Sequence, residues 1–292
     1  MIKGAFAPFV FLDYNVTKNT ASLTISQLFA GAEPVIMGIL NVTPDSFSDG
    51  GEFDHIDAAV ARALEMQIQG ASIIDVGGES TRPGAQPVDA AQEIARVVPV
   101  IEAIRRQSDI PISIDTSKSA VMKAAVQAGA NLVNDVNALR AAGAVECCAE
   151  LGVSVCLMHM QGEPRTMQQS PEYSDVVSGV RDFLLARART CIDAGITADQ
   201  ILLDPGFGFG KTLEHNLQLL SRLNELCELD FPVLVGLSRK SMLGAILDHP
   251  VDQRVIGGVA AAVIAYGKGV RWFRVHDVAE TSDALKICEA LH

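Results

Sequence analysis

The sequence predicts an α/β protein with a (β/α)8 barrel of the TIM type, and three observations support this fold class. The chain has 292 residues, and a barrel of this kind needs about 250. Hydrophobic residues make up 49% of the chain, enough for a large core. Short β-rich apolar runs alternate with longer segments in which apolar residues recur at helical spacing. We therefore predict one domain over residues 1–292, in which residues 1–33 form an N-terminal strand or hairpin extension.

Eight runs are apolar on nearly every residue, as strands of a buried parallel sheet are. In chain order these predicted strands are 34–40, 72–77, 111–116, 131–136, 153–159, 201–206, 232–238 and 270–276. The predicted helices are 57–69, 89–106 (with Asp89 as N-cap), 118–128, 142–150, 175–194, 212–229, two helices within 239–268, and 279–290. A doubly wound open sheet is the alternative. The absence of a GxGxxG motif after the first strand disfavours it.

Composition and charge exclude several classes of function. The formal net charge is −12, the opposite of the balance typical of nucleic-acid binders. The six cysteines form no CxxC pair, which favours reduced thiols in a cytoplasmic protein. No apolar stretch reaches the roughly 18 residues of a membrane span. We expect neither nucleic acid nor membrane as a partner.

Polar side chains follow the predicted strands at their carboxyl ends, which share one face in a parallel barrel. Arg274 and His276 are two residues apart and so project to the same face. Barrel closure places Asn41 beside them, which predicts an anion site of the kind that binds phosphate. The alternative is that Arg274 forms a structural ion pair with Asp277 or Asp45.

A second polar group is predicted on the other half of this face. It comprises Asp115, Asn134, Asp204 and Lys240, from strands three, four, six and seven. Carboxylates and an amide recognise a flat heterocycle with N–H donors, and a lysine adds a donor for ring acceptors. The alternative for any single Asp or Asn is a cap on the following helix. Together the two groups predict a ligand in which a heterocycle is joined to a phosphate.

The segment DPGFGFGK (204–211) is rich in glycine but lacks the spacing of a phosphate-binding P-loop. We interpret it as a pocket wall, with Phe207 and Phe209 available to pack on a ring. A simple turn before the next helix is the alternative.

Eight motifs together resemble one known family, dihydropteroate synthase. They are GILNVTPDSFSDGG (38–51), IIDVGGESTRPGA (73–85), ISIDTSK (112–118), VNDV (133–136), CLMHMQG (156–162), LLDPGFGFGK (202–211), VGLSRKSMLG (235–244) and RVHDV (274–278). They occur in the order typical of the family, and the resemblance spans residues 34–290. Asn137 stands where members often have arginine.

The resemblance implies a transferase of folate biosynthesis. Its reaction joins 6-hydroxymethyl-7,8-dihydropterin diphosphate to 4-aminobenzoate, with Mg2+ as cofactor, and releases 7,8-dihydropteroate and diphosphate. An SN1-like path is expected because the departing diphosphate leaves a CH2 group on an electron-rich dihydropterin. Sulfonamides are expected inhibitors, because they mimic 4-aminobenzoate.

The resemblance also implies roles for individual residues. The pterin is expected to contact Asp115, Asn134, Asp204 and Lys240, and Met158 and Phe209 are further expected substrate contacts. The diphosphate is expected to contact Arg274, His276 and Asn41, with Asn41 next to the metal. The aminobenzoate site is expected to involve Phe47, Ser80, Thr81, Arg82, Pro83 and Ser238. Asp45 is expected to stabilise the cation, and residues 41–51 to form a mobile lid. The family is commonly dimeric, and the apolar residues 254–266 are either a dimer interface or core.

Three rival functions remain at this stage. A methyltransferase that moves a methyl group from a reduced folate to a corrinoid would share the pterin pocket, but it has no need for a diphosphate site. A lyase would use Lys240 as a Schiff base, which needs a desolvated setting. A non-catalytic pterin-binding protein is the third, and the intact STRPGA motif (80–85) disfavours it.

Overall fold

The computed structural model describes residues 24–43, 52–80, 87–162, 167 and 171–291. Its strands are β1 (Val35–Asn41), β2 (Ile73–Gly77), β3 (Ile112–Asp115), β4 (Leu132–Asp135), β5 (Ser154–Met158), β6 (Ile201–Asp204), β7 (Leu234–Val235) and β8 (Trp272–Val275). Its α-helices are α1 (Ile25–Ala30), α2 (Glu52–Ile68), α3 (Ala90–Arg105), α4 (Ser119–Ala128), α5 (Ala144–Leu151), α6 (Val176–Asp193), α7 (Leu213–Ser221), α8 (Asn224–Cys227), α9 (Ser241–Leu247), α10 (Val255–Gly267) and α11 (Val278–Glu289). All eight predicted strands are confirmed.

The strands form one parallel sheet that closes into a barrel, as predicted. Their order is β6-β5-β4-β3-β2-β1-β8-β7, so β8 pairs with β1 as the closure argument required. The remaining seam joins β6 to β7 through a parallel bridge between Leu203 and Val233. The Leu203 amide donates to the carbonyl of Pro232 at 3.0 Å. A closed barrel leaves no unpaired sheet edge.

Alternation along the strands separates two apolar clusters. The outward-facing residues, such as Ile74, Ile112 and Phe273, pack under the helices in the large outer cluster. The inward-facing residues fill the lower part of the barrel in a smaller inner cluster of Leu28, Val35, Met37, Ile73, Leu132, Cys156, Leu202, Leu234 and Trp272. The period of two is what strand geometry dictates.

Helix α1 covers the N-terminal end of the barrel and lies within residues 1–33, where the sequence predicts a strand or hairpin extension rather than a helix. Thr24 caps it through a reciprocal capping box with Gln27. Leu28 is buried in the inner cluster, and the Phe29 ring packs edge-on against Trp272 at 5.0 Å between centroids. Residues 1–23 of the predicted strand or hairpin extension lie outside the described residues.

The predicted helices are also present, with one difference. Asp89 caps α3 by accepting from the Gln92 amide at 2.8 Å, as expected. The single helix predicted over 212–229 is divided into α7 and α8. None of the helices in the described part of the chain is long and apolar enough to cross a membrane.

Candidate active site

Inward-facing side chains change character along the strands. Toward the N-terminal ends they are apolar, and toward the carboxyl ends they are polar or charged. We call the second set, with Lys240 from the segment after β7, the charged layer: Asp75, Asp115, Asn134, Asp204, Lys240 and Arg274. Strand register brings Asp115 level with Asn134 on the neighbouring strand. The charged layer therefore lines the face on which barrel enzymes carry their active sites.

Arg274 forms two ion pairs within this layer. Its Nε donates to Asp75 Oδ2 at 2.6 Å, and its Nη2 donates to Asp115 Oδ2 at 2.7 Å. Asp75 Oδ2 also accepts from Asn134 Nδ2 at 3.3 Å. The Asp75 side chain is fully buried, and that of Arg274 is 22% exposed. Arg274, a residue of the predicted anion site, therefore contacts Asp115 of the predicted heterocycle site. The two predicted sites are contiguous.

The partners of Arg274 are not those considered from sequence. Asp277 pairs with Arg239 instead, and Asp45 lies outside the described residues. Asp75 received no role in the sequence analysis. Its position two residues before Gly77, in an otherwise apolar strand, places it on the inward face, and this was the available signal.

The electrostatics of this cluster favour a ligand with hydrogen-bond donors. Burial raises the pKa of Asp115 to about 7, although the charge of Arg274 acts to lower it. Burial lowers the pKa of Arg274, but Asp75 and Asp115 more than reverse this effect, so the guanidinium stays charged. Asp75 Oδ1 is buried and accepts no hydrogen bond within the described part of the chain. Asp75 and Asp115 together have more acceptor sites than Arg274 and Asn134 fill, so oxygen lone pairs remain for a ligand.

Asp204 and Lys240 form the other side of the charged layer. Asp204 Oδ1 accepts from the Gly206 amide at 2.7 Å, and burial raises the pKa of this carboxyl group. Lys240 Nζ lies over the Phe209 ring, 4.2 Å from its centroid. Burial lowers the pKa of Lys240 to about 8, while Asp204 acts in the opposite direction. At neutral pH Lys240 is therefore mostly an ammonium donor beside a carboxyl acceptor.

An apolar wall stands next to these charges. It consists of Val136, Met158, Met160 and Met167, with Phe209 packed partly exposed against them. Methionine side chains suit a flat ring because they are adaptable and contact aromatic edges favourably. Phe207, in contrast, is 1% exposed and belongs to the outer cluster under the helices. The prediction that both phenylalanines are available to a ring is therefore wrong for Phe207.

Ser238 and His276 lie together at the carboxyl ends of β7 and β8. The Ser238 hydroxyl is 3.1 Å from His276 Nδ1 and also accepts from the His276 amide at 3.3 Å. It is 3.4 Å from Asp277 Oδ2, the carboxylate that pairs with Arg239. Arg239 has a φ of +58°, a left-handed conformation that costs a non-glycine residue about 1–2 kcal/mol. The ion pair with Asp277 helps to hold this turn, which places Ser238 and Lys240 on either side of it.

Asn41 ends β1, is exposed, and pairs with Gly77 in the register. A Cβ atom at Gly77 would lie 3.6 Å from Asn41 Oδ1 and 3.8 Å from Asp115 Oδ2. Glycine therefore leaves open a space that both oxygens border. Ser80 is exposed just beyond β2. The remaining predicted site residues, and most of the predicted lid, lie outside the described residues: Asp45, Phe47, Thr81, Arg82 and Pro83.

A cavity of about 680 Å³ opens at the opposite end of the barrel. It lies between α1 and the segments that precede β4, β5, β6 and β7, and its charged lining residues are Asp199 and Asp230. With acidic side chains and no lysine or arginine among its described lining residues, it does not suit a phosphorylated ligand. The charged layer remains the candidate active site.

Comparison with known proteins agrees with this geometry. Residues 37–276 match the model of a family described as pterin binding enzyme. The dihydropteroate synthase of Haemophilus influenzae is 54% identical over 257 residues, which is 88% of this chain and 94% of that protein. A crystal structure of the Yersinia pestis dihydropteroate synthase with a sulfonamide drug superimposes with a TM-score of 0.85 at 52% identity, covering 89% of this chain and 94% of that one.

A third similarity concerns a product complex. The dihydropteroate synthase of Xanthomonas albilineans in complex with 7,8-dihydropteroate superimposes with a TM-score of 0.81 at 47% identity, covering 89% of this chain and 94% of that chain. The family match covers most of the chain, and the similarity extends along nearly the full length of each relative. The chain therefore belongs to the pterin binding enzyme family, among its dihydropteroate synthases.

Proposed function

We propose that the charged layer binds 6-hydroxymethyl-7,8-dihydropterin diphosphate and that the adjoining mouth brings 4-aminobenzoate to it, giving 7,8-dihydropteroate and diphosphate. The observation that carries this proposal is the cluster in which Arg274 joins Asp75 and Asp115, next to Asn134. It places a cation for phosphate directly beside acceptors for a heterocycle. The similar Xanthomonas albilineans protein holds 7,8-dihydropteroate, the product of this reaction.

The pterin half of the site is assigned to the side chains with unused acceptor capacity. Asp115, Asn134 and Asp204 accept from the N–H groups of the pterin, and Lys240 donates to a ring acceptor. Charge-assisted hydrogen bonds of this kind are about twice as strong as neutral ones. Met158 and Phe209 flank the ring from the apolar wall.

The diphosphate half is assigned to Arg274, His276 and Asn41. Arg274 uses Nε and Nη2 for its two carboxylates, and its Nη1 has no acceptor in the described part of the chain. That edge of the guanidinium is the donor we assign to a phosphate oxygen. His276 is held by Ser238 and shares the inward face of β8 with Arg274.

In this reaction the main task of the protein is to stabilise the charges that develop as the C–O bond breaks. The C–O bond between the pterin CH2 group and the diphosphate breaks, and its electron pair leaves with the diphosphate. The positive charge left on the CH2 group delocalises into the dihydropterin. The aromatic amine of 4-aminobenzoate then forms the C–N bond and loses one proton to water. Arg274 and His276 stabilise negative charge where it develops, and the neutral amine needs no strong general base.

We also propose Mg2+ as the cofactor, because the residues at the end of β1 fit its chemistry. Mg2+ usually keeps several waters and binds through one or two protein oxygens plus substrate phosphates. Asn41 offers one exposed oxygen, next to the space that Gly77 leaves open. The described residues contain no group of three or more His, Cys, Asp or Glu side chains able to hold a metal alone. Such an ion would neutralise part of the diphosphate charge.

The second substrate is assigned to the outer mouth. Ser238 is the described residue we assign to the 4-aminobenzoate carboxylate, and the exposed Ser80 directly precedes Thr81, Arg82 and Pro83 in the chain. Phe47 and Asp45 belong to the proposed lid, within the part of the chain that is not described. The related Yersinia pestis enzyme binds a sulfonamide drug, so we expect sulfonamides to compete with 4-aminobenzoate here.

The proposed function is tested by diphosphate release from the pterin diphosphate, with and without 4-aminobenzoate. We expect an amine-dependent release that forms one dihydropteroate for each diphosphate. Lys240→Ala should raise the pterin KM while the protein remains folded. Absence of any amine-dependent product in the presence of Mg2+ would sink the proposal.

We further propose that the protein is a homodimer through α10. Ile256, Val263 and Ile264 are 84%, 36% and 51% exposed, and their spacing of seven and eight residues puts them on one face of the helix. The opposite face, with Ala261 and Ala265, is buried. Residues 254–266 are therefore core on one side and an exposed apolar stripe on the other, as helices at an interface are.

The dimer is tested by sedimentation of Ile256→Asp, which should shift the protein to monomers. The matched control is Ile68→Asp on α2, where an isoleucine is 87% exposed outside the stripe. If Ile256→Asp sediments like the unmodified protein, α10 is not the interface.

A cytoplasmic location is the last part of the proposal. All six cysteines are free, and Cys148 and Cys156 are buried. Free thiols in this number are typical of proteins kept in a reducing compartment.

A further inference from the structure

We propose that Lys211 is a positioning residue that fixes the 206–210 segment as a wall of the pterin site. This inference rests on the proposed function, because that function makes the wall a substrate contact. Lys211 is 3% exposed, which is unusual for a lysine, and it makes no ion pair among the described residues.

The ammonium group of Lys211 has three acceptors. Nζ donates to the carbonyl of Gly206 at 2.9 Å and to that of Phe209 at 3.0 Å. It also lies 3.0 Å from His159 Nδ1. A lysine ammonium carries three N–H donors, and the protonated form of Lys211, whose pKa burial lowers to about 7 while Asp204 acts to raise it, uses all of them here. One side chain thus ties together both ends of the glycine-rich segment and the residue that follows β5.

The glycines explain how these carbonyls reach one point. Gly206, Gly208 and Gly210 all have left-handed φ values, of +68°, +80° and +57°. At Gly206 a Cβ atom would collide with the carbonyl oxygen of His159. The resulting loop presents carbonyl oxygens to the lysine, whereas a phosphate-binding loop presents amide groups to an anion. Lys211 is therefore engaged by its own loop.

The segment that Lys211 holds contacts two residues of the pterin site, Asp204 and Lys240. The Gly206 amide donates to Asp204 Oδ1 at 2.7 Å, and the Phe209 ring lies under Lys240 Nζ at 4.2 Å. The two residues whose carbonyls Lys211 binds are thus the two that orient Asp204 and Lys240. Movement of this segment would displace an acceptor and a donor of the pterin together.

Neighbouring side chains complete the same support. Tyr173 Oη donates to the carbonyl of Gly210 at 2.8 Å, and the Gly208 amide donates to Asn216 Oδ1 at 2.8 Å. The His159 ring packs edge-on against Phe183 at 4.9 Å. Burial and the charge of Lys211 lower the pKa of His159 to about 3, so its imidazole is neutral and has a lone pair for the lysine.

The test compares Lys211→Met with Arg105→Met. Methionine keeps most of the lysine volume and removes the donors. Arg105 is a matched control because it also binds backbone carbonyls, such as that of Gly129 at 3.0 Å, but at the N-terminal end of the barrel. Both variants should unfold more easily than the unmodified protein. Only Lys211→Met should raise the KM for the pterin diphosphate, by about tenfold or more, with the 4-aminobenzoate KM within about twofold.

Binding of 6-hydroxymethylpterin, measured by calorimetry, gives a readout that is independent of turnover. Lys211→Met should raise its Kd by about tenfold, and Arg105→Met should leave it unchanged. If the unmodified protein binds this pterin but forms no dihydropteroate, the proposed function fails, and the two Kd values still decide the role of Lys211.

A milder variant keeps the inference testable if Lys211→Met does not fold. Tyr173→Phe removes only the hydroxyl that binds Gly210, and we expect it to raise the pterin Kd by about threefold. A folded Lys211→Met with unmodified pterin affinity would overturn the inference. So would equal losses in Lys211→Met and Arg105→Met, or an unmodified pterin Kd in Tyr173→Phe.

Discussion

The barrel interior has two layers built on the same strands, and they differ in almost every physical property. The lower layer is the inner cluster, closed below by α1 and by the contact of Phe29 with Trp272. The upper layer is the charged layer, and on β6 only one residue separates Leu202 from Asp204. The lower layer is apolar and nearly inaccessible, apart from the buried Ser113 and Ser154, which pair with Leu132 in the register. The upper layer holds buried carboxyl groups, one of them with an unused acceptor.

The difference shows how one fold separates stability from recognition. Burial of apolar area in the lower layer contributes about 25 cal/mol per Å² to folding. In the upper layer burial works against the charged forms of Asp115 and Lys240 and moves both pKa values toward neutrality. Such a layer is retained for what it binds, since natural binding sites often sacrifice stability. Variants in the two layers should therefore fail in different ways.

The largest effect is expected at Asp75, which holds Arg274 and Asn134 together. Loss of one partner from a buried ion pair costs about 3–5 kcal/mol. Asp75→Asn should therefore destabilise the folded protein by up to this amount, and because Arg274 and Asn134 lose their common partner, kcat/KM in the diphosphate-release assay should fall by about 10²–10³-fold.

The control for Asp75→Asn is Ser113→Ala, at the position paired with Asp75 in the register. The Ser113 hydroxyl is buried and has no hydrogen-bond partner among the described residues, so its removal should leave activity within about twofold. Equal losses in both variants would remove Asp75 from the site.

The second-largest effects are expected at Phe207 and Phe209, where alanine substitutions should have different consequences. Phe207→Ala should lower the free energy of unfolding by about 3–5 kcal/mol, because this ring is fully buried in the outer cluster. Phe209→Ala should raise the Kd of 6-hydroxymethylpterin by about tenfold with a smaller loss of stability, because its ring is partly exposed beside Lys240. Chemical denaturation and calorimetry measure the two quantities, and an exchange of the two phenotypes would contradict the assignment.

A smaller effect is expected in the pH dependence of stability. The pKa of Asp115 is raised from 3.8 to about 7 on folding, so the folded state binds this proton more tightly than the unfolded state. The stability of the unmodified protein relative to Asp115→Asn should therefore fall as pH rises from about 4 to about 7, by roughly 2–3 kcal/mol. Urea denaturation at several pH values measures this difference.

Asp283→Asn is the control for the pH series, because this aspartate is exposed on α11. Its stability difference from the unmodified protein should stay within about 0.5 kcal/mol at every pH. A flat difference for Asp115→Asn as well would show that burial does not disfavour the Asp115 carboxylate.

Much of the fold follows from the sequence because the signals are local. Within the described ranges, the eight apolar runs and the helical spacing between them locate each strand and nearly every helix. The alternation of side chains also places Arg274 and His276 on the inward face. Helix α1 lacks such a signal, because its six residues are too few for helical periodicity to register.

The site was less predictable, because its contacts depend on long-range geometry. Spacing assigns Arg274 to a face, but it does not choose among Asp75, Asp115 and Asp277 as partners, which lie on different elements. In the glycine-rich segment 206–210, the sequence likewise does not show which phenylalanine faces the core and which faces the site. Residues 207 and 209 would share a face in an extended chain, yet the left-handed glycines turn Phe207 into the core and leave Phe209 at the mouth.

The most direct test of the two-layer account compares adjacent inward positions on β6. Calorimetry gives the Kd of 6-hydroxymethylpterin, and chemical denaturation gives the free energy of unfolding, for Asp204→Asn and Leu202→Ala. We expect Asp204→Asn to weaken pterin binding by about 30-fold or more and to remain nearly as stable as the unmodified protein. We expect Leu202→Ala to lose about 3 kcal/mol of stability and to keep its Kd within about twofold. Unchanged affinity in Asp204→Asn, or an equal loss of affinity in Leu202→Ala, would contradict the account.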